Sequence, residues 1–143
     1  MGITIKTQEE IEKMRIAGKL AAGVLEMVTP HVKAGVTTNE LNTLCAEYTD
    51  KVQNAISAPL NYHGFPKSIC TSVNHVVCHG IPNDTPLTDG DIVNIDITVI
   101  KDGYHGDTSK MFLIGEVSLE DNRLCRITRE ALYVGLKKVK PGN

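Results

Sequence analysis

The stretch DIVNIDITVIKDGYHGDTSKMF, residues 91–112, leaves little freedom in how it can fold. Val93, Ile95, Ile97 and Val99 alternate with Asn94, Asp96 and Thr98, the period of a strand with one buried face. Asp102-Gly103 then supplies the pair that a two-residue hairpin turn favours. A turn there sets Lys101 opposite Tyr104, Asp96 opposite Ser109 and Thr98 opposite Asp107. Asp96 and Asp107 become diagonal neighbours on one face, with α-carbons ~7–8 Å apart, and His105 and Ser109 share that face.

Carboxylates are depleted in strands, and two held this close repel unless a proton or a cation lies between them. Oxygen donors of this kind suit Mn, Co, Fe or Mg better than structural zinc. The alternative is a solvated polar face on a one-sided antiparallel sheet, with Asp107 capping a turn. Spacing alone leaves both readings open.

The rest of the chain reads as helices and loops around this hairpin. Thr7 and Glu10 form a capping-box pattern, and Ile11, Met14, Ala17, Ala21, Val24 and Val28 recur at helical spacing until Pro30. Thr37 and Glu40 start a shorter helix carrying Leu41, Leu44 and Cys45. Ser118 with Asp121 opens a last helix, halted by Pro141-Gly142. Between residues 54 and 81 periodicity fades; SICTSV reads as a short strand, and HVVCHG as another ending at Gly80. Two helices run out through V-K-x-G, at Val32–Gly35 and Val139–Gly142, and only the first has a sequel. Half of a duplicated fold would read this way, as would coincident turn chemistry.

Composition narrows the partners. With 41% apolar and 22% charged residues the chain can bury a core, and 143 residues suit one domain. A net charge of −2 offers no field for nucleic acid or an acidic membrane, and the absence of Trp argues against a stacking platform. No apolar run nears the ~20 residues of a spanning helix. The four cysteines lack CxxC spacing, so free thiols in the cytoplasm are expected. Among the histidines, His79 and His63 lie in Gly- and Pro-containing segments, where substrate contact and a structural role are both open. His31 reads as surface, and His75 has no evident partner.

Taken in order, YHGFPKSICTSVNHVVCHGIP, then DGDIVNIDITVIKDGYHGDTSKMF, then RLCRITREALYVGLKKVKPG resemble the bacterial type I methionine aminopeptidases, from about Ile5 to Asn143. The resemblance implies an α/β (α+β) fold: half of a pita-bread architecture, an antiparallel sheet with long helices packed on one face. Residues 1–143 would form a single N-terminal lobe, with the C-terminal lobe absent. It implies a metalloaminopeptidase that removes the initiator methionine from nascent chains, with two divalent ions (Co, Mn, Fe or Zn) per complete site activating a shared water.

By the same resemblance Asp96 binds one ion and Asp107 bridges both. His79 is the catalytic histidine near the scissile amide. Tyr62, His63, Phe65 and Cys70 join His79 in binding substrate, and the carbonyls of Asn74 and Val76 hold a monovalent cation. Phe65 stands where many members carry Tyr, and Pro59 where some carry Cys. A His and two Glu that complete the family's ligand set have no counterpart here. Little or no activity of the chain alone is therefore expected, with metal occupancy below that of a complete site. Self-association, or pairing with a C-terminal half, would cover the surface left bare. The runner-up is a non-catalytic relative that binds peptides or proteins; a third reading gives the aspartates a purely structural role.

Overall fold

Capping decides where the helices of the computed structural model begin; it describes residues 2–143. Thr7 N donates to Glu10 Oε2 at 2.7 Å and Glu10 N to Thr7 Oγ1 at 3.3 Å, opening α1 (Gln8–Val28) with a closed capping box. The same reciprocal pair at Thr37 and Glu40 opens α2 (Thr38–Glu47). Pro30 follows α1 in a short 3-10 turn, and α2 widens into a π-helical turn over Tyr48–Val52. Ser118 Oγ accepts from Asp121 N to start α3 (Leu119–Leu136).

Four strands form one antiparallel sheet. β3 (Ile92–Lys101) is its centre, and β4 (Tyr104–Leu113) pairs along its full length. β1 (Ile56–Ser57) and β2 (Cys70–Val73) share the other side of β3, at Val99–Ile100 and Val93–Asp96 respectively. The hairpin register is the one the Asp-Gly turn predicts: Lys101 opposes Tyr104, Asp96 opposes Ser109, and Thr98 opposes Asp107. Asp102 and Gly103 both take positive φ, as such a turn requires.

Alternation along β3 sends Val93, Ile95, Ile97 and Val99 into the core, all at most 2% exposed. Each such side chain contributes about 1.5–3 kcal/mol of gross burial. They meet Ala21, Val24 and Val28 of α1 and Leu41 and Cys45 of α2. Small residues let α1 lie close on the sheet: Ala17 backs onto Gly106 of β4, where a Cβ would collide with the helix backbone. The first two apolar positions expected of α1, Ile11 and Met14, remain 36% and 43% exposed, so the stripe is used only from Ala17 onward.

Two expectations change. HVVCHG is not a strand: after β2 the chain turns at Asn74, and Val77 is 94% exposed. His79 adopts φ 54, which no pleated strand accommodates, so the β-branched Val76-Val77 pair does not decide the local structure. The other change concerns α3. The helix forms where its cap places it, but none of its residues is buried, so α1 covers the sheet without it.

Candidate metal centre and substrate cleft

The polar face of the hairpin is the floor of a cleft of about 720 Å³. Asp96 and Thr98 from β3, and His105 and Asp107 from β4, supply that floor. Cys70 projects beside them because β2 pairs Cys70 with Asp96. One wall is the loop after β1, with Tyr62, His63 and Phe65; the other is the segment after β2, with His79 and Ile81. Asp96, Asp107, His79, Tyr62, His63, Phe65 and Cys70, separated by up to 45 residues in sequence (Tyr62 to Asp107), thus converge on one space. Asn74 and Val76 do not line it; they sit in the turn after β2, where Asn74 bonds Asp91 and Ile92 and Val76 N donates to Val73 O.

Both walls are held in strained backbone. Asn61 and His63 take φ of 67 and 47, and the Tyr62 and His63 rings meet edge to face at 4.4 Å between centroids. Non-glycine residues in left-handed conformations persist only where the surroundings over-determine them. At His79 the clamp is visible: Thr71 N donates to Gly80 O at 2.8 Å, and Gly80 N donates to Ser72 Oγ at 3.2 Å. A Cβ on Gly80 would run into the Thr71 carbonyl, so only glycine lets His79 be carried this close to β2.

Electrostatics single out the aspartates. Burial pushes the half-buried Asp96 carboxyl above its ordinary value of 3.8; the Asp107 charge and a hydrogen bond with that carboxyl push the same way, while His79 pulls it back. A pair in this state favours a bound proton or cation. Oxygen donors from two paired strands fit one side of a divalent site. No group of three or more His, Cys, Asp or Glu side chains among the described residues is placed to hold an ion. Burial also drives the Cys70 thiol up to about 11, helped by the charges of Asp96, Cys78 and Asp107, so Cys70 meets the cleft as a small apolar wall.

Residues 12–143 match metallopeptidase family M24. The chain belongs to that family. Methionine aminopeptidase from Salmonella typhimurium is 63% identical over 143 residues, 99% of this chain and 54% of that relative. The crystal structure of methionine aminopeptidase from Rickettsia prowazekii superposes with a TM-score of 0.90 at 59% identity, covering 92% of this chain and 53% of that one. That from Thermotoga maritima gives 0.93 at 37% identity, covering 99% and 57%. The chain therefore spans about half the length of the relatives it matches, and carries half of their pita-bread fold. M24 membership implies use of divalent metal. Among the described residues no helix is long and apolar enough to cross a membrane.

The hairpin and the segment ending at Gly80 announced Asp96, Thr98, His105, Asp107 and His79 in the sequence, whereas Tyr62, Phe65 and Cys70 came only with the family resemblance. Ala58, Pro66 and Ile81 were not singled out, although they line the cleft too. For Ile81 the signal was adjacency to His79; for Ala58, only the β1 pairing, where its N–H donates to Thr98 O at 2.9 Å, could have found it.

Proposed function

We propose that these residues form part of the active centre of a metalloaminopeptidase that releases N-terminal methionine from peptides and nascent chains in the cytoplasm. The observation that carries this reading is the convergence of the Asp96–Asp107 pair with His79 and the side chains of Tyr62, Phe65 and Cys70 in one cleft. Asp96 and Asp107 would hold the divalent metal (Co, Mn, Fe or Zn), which supplies Lewis-acid polarisation and a nucleophile at neutral pH. Tyr62, Phe65 and Cys70 receive the methionine side chain; His63 closes that side of the cleft beside Tyr62. His79 sits within reach of the scissile amide and stabilises the charge that develops there. The carbonyls of Asn74 and Val76 would hold a monovalent cation.

Residues beyond these 143, supplied by a C-terminal half or a second polypeptide, complete the ligand set. Without them, purified chain given Mn or Co is expected to release little or no methionine from a Met-Ala peptide. The positive test is a chimera in which residues 1–143 replace the matching segment of the Rickettsia prowazekii enzyme. It should turn over Met-Ala peptides. D96N and D107N should abolish turnover, and H79A should lower kcat about 100-fold or more. An inactive but folded and metal-loaded chimera would refute the reading.

A secondary reading, peptide binding without turnover, is favoured by the two-carboxylate ligand set. It requires the chain alone to bind Met-Ala peptides, and the chimera to gain nothing in turnover.

A further inference from the structure

His79 rides on a segment with few ties to the body of the chain. Among the described residues, two hydrogen bonds fasten residues 77–82 to the rest: Thr71 N donates to Gly80 O at 2.8 Å, and Gly80 N donates to Ser72 Oγ at 3.2 Å. Both act on the residue that directly follows His79. The first joins backbone to backbone, and most residues at position 71 could make it. The second depends on one side chain.

Serine is not among the strand formers, yet Ser72 stands in β2 opposite Asn94 and is only 5% exposed. A hydroxyl at that depth needs a partner, and Gly80 N is the one it has. Alternation puts Ser72 on the same face of β2 as Cys70, the face that meets the cleft. Its bond reaches His79 through one peptide: fixing Gly80 N fixes the plane of the His79–Gly80 peptide, and with it the ψ torsion of His79. That residue is held at φ 54, a conformation that L side chains leave when they are free to. One hydrogen bond and one left-handed residue are each worth about a ten-fold population ratio. The bond is thus large enough to hold the conformation, and its loss large enough to release it.

We propose that Ser72 is a positioning residue: its Oγ, acting through Gly80 N, holds His79 in the left-handed conformation that presents the imidazole to the cleft beside Asp96 and Asp107. The consequence for turnover rests on the aminopeptidase reading; the hold on His79 does not. Both partners of the bond lie in β2 and the loop that follows it, and Ser72 touches neither the carboxylate pair nor the cleft lining itself.

The hold is read in the metal-free chain by nuclear magnetic resonance. Parent protein should show the strong nuclear Overhauser effect between the His79 amide and its own α-proton that positive φ produces, and slow exchange of the Gly80 amide. S72A and S72V should lose both, and S72T should keep both. Threonine and valine share a shape, so that pair separates the hydroxyl from the volume, and S72A keeps the test open if the larger side chains disturb β2. In the chimera described above, S72A should lower kcat on Met-Ala peptides about ten-fold with KM little changed, and S72T should restore it. Because Ser72 works through His79, S72A should cost no further turnover in an H79A background. Parent-like resonance behaviour in S72A and S72V would overturn the proposal, as would a loss of turnover in S72A that persists in full beside H79A. A folded, metal-loaded parent chimera without turnover would overturn the aminopeptidase reading instead, and the resonance series would still decide the hold on His79.

Discussion

Replacing Gly106 by Ala tests whether the metal-ligand hairpin is positioned by its contact with α1. The substitution adds one carbon, at a point where β4 and α1 touch through backbone: the new Cβ would fall inside contact with the Ala17 carbonyl and Gly18 N. Backbone cannot rotate away as a side chain can. Restoring spacing of ~3.5–4.0 Å requires helix and strand to part by ~1–2 Å, and a gap of even ~0.5–1 Å forfeits a quarter to a half of the contact energy along it. That gap would run beside Ala17 and Ala21, both fully buried. Overpacking against backbone costs about 3 kcal/mol, the upper part of the usual range. For a domain of this size the melting temperature should fall by ~10 °C. G18A is the matched control: nothing lies within 4 Å of its Cβ, and it sits inside α1. It should raise stability by about 0.5–1 kcal/mol. Calorimetry on the two variants decides the matter. A G106A protein melting with the parent, or a G18A protein melting well below it, would refute the packing account.

Other outcomes follow from the same geometry. In metal-free protein Asp96 keeps its proton to higher pH than in the unfolded chain, so its contribution to stability is full below the ordinary aspartate value of 3.8 and is lost as pH rises through its raised value. The stability difference between parent and D96N, measured by urea unfolding, should accordingly change over that window and be flat above it. Thiol labelling should be ordered by exposure: Cys78 is exposed and reacts first, whereas burial drives Cys70 up to about 11 and Cys45 up to about 12. Iodoacetamide at pH 8 followed by peptide mass mapping checks this, and early modification of Cys45 would contradict the core packing. G80A should displace His79 and lower turnover of the chimera, while leaving the melting of the sheet less affected than G106A does.

The parts of the fold legible in the sequence are those fixed by short-range chemistry. The Asp-Gly turn and strict alternation set the β3–β4 register, and with it the shared face of Asp96 and Asp107. Capping boxes at Thr7 and Thr37 set two helix starts. Residues 75–80 read as a strand because Val76 and Val77 carry strand composition, while the backbone is governed by the bonds of Asn74 to Asp91 and Ile92 and by the Gly80 seat on β2, neither of which a local pattern shows. β1 is only two residues long and exists through its pairing with Val99 and Ile100, so no local pattern could announce it. The convergence of Tyr62, Phe65 and His79 on the aspartates was likewise legible through family resemblance and not through periodicity. Helix α3 was legible, but its bare face was not, because an apolar stripe says that something should cover it and not what.

The central claim is that Asp96 and Asp107 share a cation from adjoining strands. The most direct measurement is Mn binding to the metal-free chain, followed by electron paramagnetic resonance and calorimetry, with D96N and D107N in parallel. The account predicts weak uptake by the parent that either substitution abolishes, with displacement by Co. Uptake unchanged in both variants, or none in the parent at any concentration that leaves the protein folded, would contradict it.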